Sequence, residues 1–184
     1  MAAYSLDRLS VLVAEDNSYL GSLMMQSLRA MGVGNVRRVE HGGEAIDLLR
    51  LMTKDPTKAG LMSVDLILSN WQMSPVDGMM LLRWVRRHKE SPNRFIPFIM
   101  VTGYADQDKV HEAREMGVTE ILAKPFSVGS MAKHILQVID RPRQFVHNPT
   151  YFGPDRRRQI KTLVDGKERR VRTDDEIDIV HDDN

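Results

Sequence analysis

Five polar side chains in this sequence stand where short apolar runs give out. Glu15 and Asp16 follow "SVLVA", Asn70 follows "VDLILS", Thr102 closes "FIPFIMVT", and Lys124 follows "TEILA". Two carboxylates offer hard oxygen ligands to a cation, while a hydroxyl and an ammonium donate to the oxygens of an anion. Gathered on one rim, they would make a small site for a cation and an anionic group side by side. Asn70 is the discordant member. Its setting suits a carboxylate, and a neutral carboxamide is not expected to act as a nucleophile.

For these residues to meet, the runs that carry them must lie in one sheet. Short apolar segments alternate with longer stretches of helical periodicity, the sequence sign of a parallel sheet covered by helices on both faces. Strands are expected at Ser10 to Ala14, Val64 to Ser69, Phe95 to Thr102 and Thr119 to Ala123, with "NVRRVE" near Val36 a weaker fifth. Three of these runs are apolar almost throughout, as central strands buried on both faces require, and the charged fifth suits an edge. Helical spacing links Leu20, Leu23, Met24 and Leu28, then Ala45, Leu48, Leu49 and Met52. It recurs at Met79, Leu82 and Val85, at Val110, Ala113 and Met116, and at Val128, Met131, Ile135 and Val138. Five β/α pairs thus end near Asp140. Ligands of such open sheets bind beyond the carboxyl ends of the strands, where the five polar residues fall.

The stretches "VLVAEDN", "DLILSNWQMSPVDGM", "IMVTGYAD" and "EILAKPF", in that order, resemble the receiver domain of two-component response regulators over residues 8 to 140. The resemblance implies an α/β fold: a doubly wound, five-stranded parallel sheet of the (βα)5, flavodoxin- or CheY-like kind. It makes the end of the third strand the place where an aspartate takes a phosphoryl group from a histidine kinase, and Asn70 holds that place. It assigns Glu15, Asp16 and the backbone carbonyl of Gln72 to Mg²⁺, Thr102 to the phosphoryl group, and Lys124 to the family's ammonium. Phosphoryl transfer needs an in-line nucleophile, a cation and donors for the equatorial oxygens. The supporting groups are therefore kept and the acceptor is missing, which describes a pseudo-receiver.

A weakened or vestigial Mg²⁺ site follows. At about 4 Å and an effective dielectric near 20, each pair of unit charges is worth roughly 4 kcal/mol, so the loss of one acid matters. The amide also relieves repulsion among crowded acids, and its oxygen is expected to accept from Lys124. Two departures from the family stand out: Ser74 separates Met73 from Pro75, and Ile121 stands where many receivers carry an aromatic switch residue. Outside the resemblance, Glu15, Asp16 and Asn17 precede a helix, and capping explains them about as well as cation binding. Asp77 and Gly78 read as a turn and cap.

The net charge of +1 gives no global pull toward nucleic acid or anionic lipid, and the lack of cysteine removes thiol chemistry. No apolar run approaches a membrane span. A cytoplasmic protein is expected, not an enzyme, with residues 1–140 as receiver domain and 141–184 as an extended or disordered tail. The tail separates a basic block, Arg156 to Arg172, from an acidic end at Asp174 to Asp183. Within it "YFGPDRRRQIK" carries two aromatic anchors suited to a groove on a partner or on the receiver itself, against the alternative of a solvated linker. No reading helix follows, so DNA binding is not expected. The function expected is a single-domain, response-regulator-like signalling protein of a phosphorelay, meeting a histidine kinase or downstream protein through the face of helix 4, strand 5 and helix 5 and through the tail. A two-fold homodimer is a reasonable assembly. The alternative is a phosphorylatable, Mg²⁺-dependent response regulator in which Asn70 is an engineered exchange for aspartate.

Overall fold

The apolar runs pair side by side. The computed structural model describes residues 6–55, 57, 63–103 and 107–155, together with the backbone of 178–180. In chain order the first elements are β1 (Ser10–Ala14), α1 (Ser18–Ala30), β2 (Asn35–Val39), α2 (Gly42–Lys54) and β3 (Leu66–Asn70). There follow α3 (Gly78–Arg87), β4 (Phe98–Thr102), α4 (Gln107–Glu115), β5 (Glu120–Ala123) and α5 (Val128–Asp140). The five strands form one parallel sheet in the order β2-β1-β3-β4-β5. β1, β3 and β4 are buried along their whole length, whereas the charged β2 is an edge with alternating exposure.

The core divides about the sheet as the two-residue period of a strand demands. Val11 and Val13 of β1 point to one face and pack with Met24 and Leu28 of α1 and Met131, Ile135 and Val138 of α5. Leu12 and Ala14 point to the other, with Leu48 and Leu49 of α2, Leu81, Leu82 and Val85 of α3 and Ala113 of α4. Both layers are contiguous, so the sheet is a rigid platform and its carboxyl edge inherits that rigidity.

Strand starts moved inward at three places, by one residue at β5 (Thr119) and further at β3 and β4. Asp65 precedes β3: its N–H donates to Ser10 O at 2.9 Å, while its carboxylate accepts the Ser10 backbone N–H at 2.8 Å. Phe95 leaves β4 because its ring faces Phe145 and Phe152 at 5.1 and 5.5 Å instead of the sheet core.

Those two partners correct the reading of the tail. Residues 145–154 form an antiparallel hairpin, β6 (Phe145–Asn148) and β7 (Tyr151–Pro154), and β8 (Asp178–Val180) pairs with β6 on its other side. Asn148 closes the turn by accepting the backbone N–H groups of Thr150 and Tyr151 at 3.0 and 2.8 Å. Phe145, Tyr151 and Phe152 are buried. The segment is poor in apolar residues on average, yet three aromatics concentrated in ten residues suffice once the receiver supplies the other half of the core. Their seat is the amino end of β4 and β5. There Gly117, at φ +91°, lets the chain pass so close that a Cβ would stand 2.7 Å from the Phe152 carbonyl oxygen. The basic block and most of the acidic end lie outside the described residues.

At this seat Arg86, in the last turn of α3, is 1% exposed. Its Nε donates to Gly117 O at 2.9 Å, its Nη1 to Arg94 O and Ile96 O at 2.8 Å each, and its Nη2 to Thr119 Oγ1 at 3.4 Å. The guanidinium lies 5.1 Å from the Phe145 ring centre, and Arg94 covers Phe152 at 3.2 Å. The hairpin is thereby the lid of a buried cation.

Candidate functional site

The opposite edge of the sheet gathers the polar residues. Glu15 and Asp16 follow β1 directly, Asn70 ends β3, Thr102 ends β4, and Lys124 follows β5. Register holds them level: Asn70 pairs with Val101, and Thr102 with Ala123, while Lys124 N–H donates to Thr102 O at 2.7 Å. Thr102 is buried, and the Lys124–Pro125 peptide bond is cis.

Asn70 stands at the centre. Its Nδ2 donates to Gln72 O at 2.7 Å, Asp16 Oδ1 at 3.0 Å and Glu15 Oε1 at 3.2 Å. Its Oδ1 accepts from Lys124 Nζ at 3.1 Å, and the same ammonium donates to Glu15 Oε2 at 3.1 Å. The expected bond from Lys124 to the amide oxygen is therefore present. Thr102 is brought to the same edge.

Each member is held by local chemistry. Gly78 opens α3 where a side chain would run into the Asn70 carbonyl and approach Met100 Sδ to 2.8 Å, so glycine lets the helix start directly beneath the site. Asp77 caps that helix by accepting Met80 N–H at 2.7 Å, as its sequence setting suggests. Asn17, rather than either acid, caps α1 by accepting Leu20 N–H at 2.9 Å. Glu15 is turned inward, 1% exposed, with Asn17 N–H on its Oε1 at 3.2 Å. The Ser74–Pro75 bond in the loop after Asn70 is cis, and Val76 O in that loop accepts Gly42 N–H at 2.9 Å.

Arg38 is a positioning residue that sequence reasoning missed. From β2 its Nε and Nη2 reach Glu15 O at 3.3 and 3.1 Å, fixing the acid's backbone. It does so through a gap left by Gly21 in α1, where a Cβ would come 3.1 Å from the Arg38 guanidinium carbon. A glycine inside an otherwise regular helix was the available signal.

Burial pushes the Glu15 carboxyl above its ordinary 4.5, while Lys124 and the Asn17 N–H pull the other way. For Asp16 burial also raises, but its interaction with Glu15, the hydrogen bond from the Asn70 amide and backbone N–H groups outweigh it and leave the carboxyl below 3.8. The pair is thus split, with the outer acid the more readily ionised.

A family model, described as the response regulator receiver domain, matches residues 11–136. The chain belongs to the response regulator receiver family. This receiver is similar to the chemotaxis protein CheY homolog of Campylobacter jejuni, 31% identical over 119 residues that cover 65% of this chain and 83% of that protein. It is 26% identical to the chemotaxis protein CheY of Pseudomonas aeruginosa over 133 residues, 72% of this chain and 98% of that one. Among solved structures it resembles the receiver domain of the histidine kinase CKI1 from Arabidopsis thaliana, complexed with Mg²⁺ and BeF₃⁻. That match has a TM-score of 0.62 and 25% identity, over 74% of this chain and 95% of the other. The five-stranded CheY-like fold read from the sequence is borne out.

The donor set can be tested against Mg²⁺ directly. Glu15 Oε1, Asp16 Oδ1 and Gln72 O converge on one point, and Asn70 Nδ2 is at that point. An octahedral Mg²⁺ wants oxygens at about 2.0–2.1 Å, and these lie at hydrogen-bonding range around a nitrogen that donates protons. As arranged, the residues do not fit the ion. Among the described residues no group of three or more histidine, aspartate and glutamate side chains is placed to hold a metal.

Proposed function

We propose that this response regulator receiver is a pseudo-receiver: Asn70 stands at the phosphoacceptor position, the domain takes no phosphoryl group there, and it signals by binding other proteins. The observation that carries this reading is the environment of Asn70, a carboxamide between an acid pair and a lysine at the carboxyl end of β3. Thr102 and Lys124 are the supporting groups, and Glu15, Asp16 and the Gln72 carbonyl a vestigial Mg²⁺ site. A carboxamide nitrogen has its lone pair delocalised and its oxygen uncharged, so no group at that point attacks phosphorus under the conditions in which a carboxylate does.

The partner is a histidine kinase or a downstream signalling protein, met in the cytoplasm through the face of α4, β5 and α5, which also offers a two-fold contact between copies. Ile121 on that face is half-buried against the core and has no polar tip to swing outward, so the face does not depend on an aromatic switch. Residues 141–184 form an extension to the receiver at 1–140. The aromatic anchors Tyr151 and Phe152 are buried within this chain, which leaves partner binding by the extension to residues beyond 155.

The test is exposure of the full chain to a small-molecule phosphodonor with Mg²⁺, read by intact mass. No gain is expected on this chain and one phosphate on Asn70→Asp. A covalent phosphate on residue 70 of the unaltered chain would overturn the reading.

A further inference from the structure

We infer that the Asn70 carboxamide nitrogen is a built-in substitute for the cation, so that the rim is closed to Mg²⁺ and held in one arrangement. This deepens, and rests on, the reading of the rim as a receiver site without its acceptor. Nδ2 has two protons and three oxygen neighbours, from Glu15, Asp16 and the Gln72 backbone, while Oδ1 and Glu15 Oε2 share the Lys124 ammonium. Both Glu15 oxygens and both polar atoms of the amide are in use. The reverse orientation would set Oδ1 against three acceptors and the NH₂ against an ammonium, so the surroundings dictate which way the amide faces.

Charge counting gives the same answer. Glu15, Asp16 and Lys124 sum to −1, and the amide adds nothing except a partial positive charge at the point where the acids meet. An aspartate at 70 would make the sum −2, which a divalent ion neutralises. With asparagine the same ion would overcharge the site to +1 and would have to expel a three-way donor to enter. Metal cannot then serve as a condition for this receiver's surface, which stays in one state irrespective of Mg²⁺.

The test titrates MgCl₂ into the chelator-treated full chain, against NaCl of equal ionic strength. It is read by the fluorescence of Trp71, half-buried between Asn70 and Gln72 in the chain, and by the thermal midpoint. Asn70→Asp is expected to bind Mg²⁺ at least about tenfold more tightly than the unaltered chain, given the strength of one added charge beside the ion. A smaller ratio overturns the inference. Asn70→Ala separates occupancy from charge, because it removes the nitrogen without adding an acid. It is expected to bind Mg²⁺ more tightly than the unaltered chain, and equal or weaker binding overturns the inference. Mg²⁺ binding to the unaltered chain with no phosphate on residue 70 refutes the substitute alone, whereas phosphate on residue 70 refutes the pseudo-receiver.

Discussion

Lys124 and Arg86 are two cations withdrawn from water at opposite ends of the same sheet, and they are satisfied by different chemistry. At the carboxyl end Lys124 meets a buried carboxylate and an amide oxygen. At the amino end Arg86 meets three backbone carbonyls, a hydroxyl and an aromatic ring, and among the described residues no carboxylate pairs with it. Burial draws the Arg86 pKa down to about 9, which leaves it charged at neutral pH. An acid–lysine pair can be rearranged by a competing ion or a change of pH. A guanidinium whose donors are fixed by carbonyls from the β4 and β5 entry loops is a clamp, and its job is to join α3, two strands and the hairpin. The contrast separates a site, whose ammonium keeps partial contact with solvent, from a joint, whose guanidinium is buried.

The comparison can be broken most directly at the joint. Arg86→Met should cost about 3 kcal/mol or more, since it strands buried carbonyls that each cost about 1–3 kcal/mol when unpaired. Urea denaturation at pH 7 measures it, and a loss smaller than that of Lys124→Met would reverse the assignment. Lys124→Met should cost about 2 kcal/mol, because Glu15 keeps its burial and loses its ammonium, with part of the penalty relieved by the exposure of Lys124. That loss should shrink as the pH is lowered, because a protonated Glu15 needs no partner, and a loss independent of pH would argue against the pair.

Gly117→Ala should cost about 1–2 kcal/mol from a side chain forced to positive φ, and should release the hairpin. Amide exchange in residues 145–154 would register the release, and unchanged protection would show that the close approach is dispensable. The same seat predicts that truncation after residue 140 lowers stability while truncation after 155 leaves Arg86 covered, so binding by the extension is read as the full chain against the form ending at 155.

Glu15→Gln should have the smallest effect, visible as a slope. Burial raises the native Glu15 pKa above 4.5, so the native state holds that proton more tightly than the unfolded chain. Its contribution is full below 4.5 and is lost as pH rises through the raised value. Stability of the unaltered chain should therefore decline with pH across that window more steeply than stability of the glutamine variant. Asp16, with its lowered pKa, contributes the opposite slope: its share is present above 3.8 and lost as pH falls.

Periodicity and strand-end chemistry were enough to determine the sheet, its five helices and the rim. A run such as "SVLVA" can be buried on both faces only at the middle of a parallel sheet, and the polar residue after it must then lie at the carboxyl edge. The identity of Asn70 likewise lay open in the sequence. Which way its amide faces was decided only by the tertiary structure, because that depends on three oxygens and an ammonium separated by up to 109 residues along the chain. Arg38 was hidden for the same reason, since a charge on an edge strand reads as solvated until Gly21 opens room for it. The hairpin was misread because composition averages over a segment, whereas burial depends on what faces it. Phe145 and Phe152 lacked a core of their own, and Arg86, Arg94, Phe95 and Gly117 completed one from residues that local sequence could not bring together.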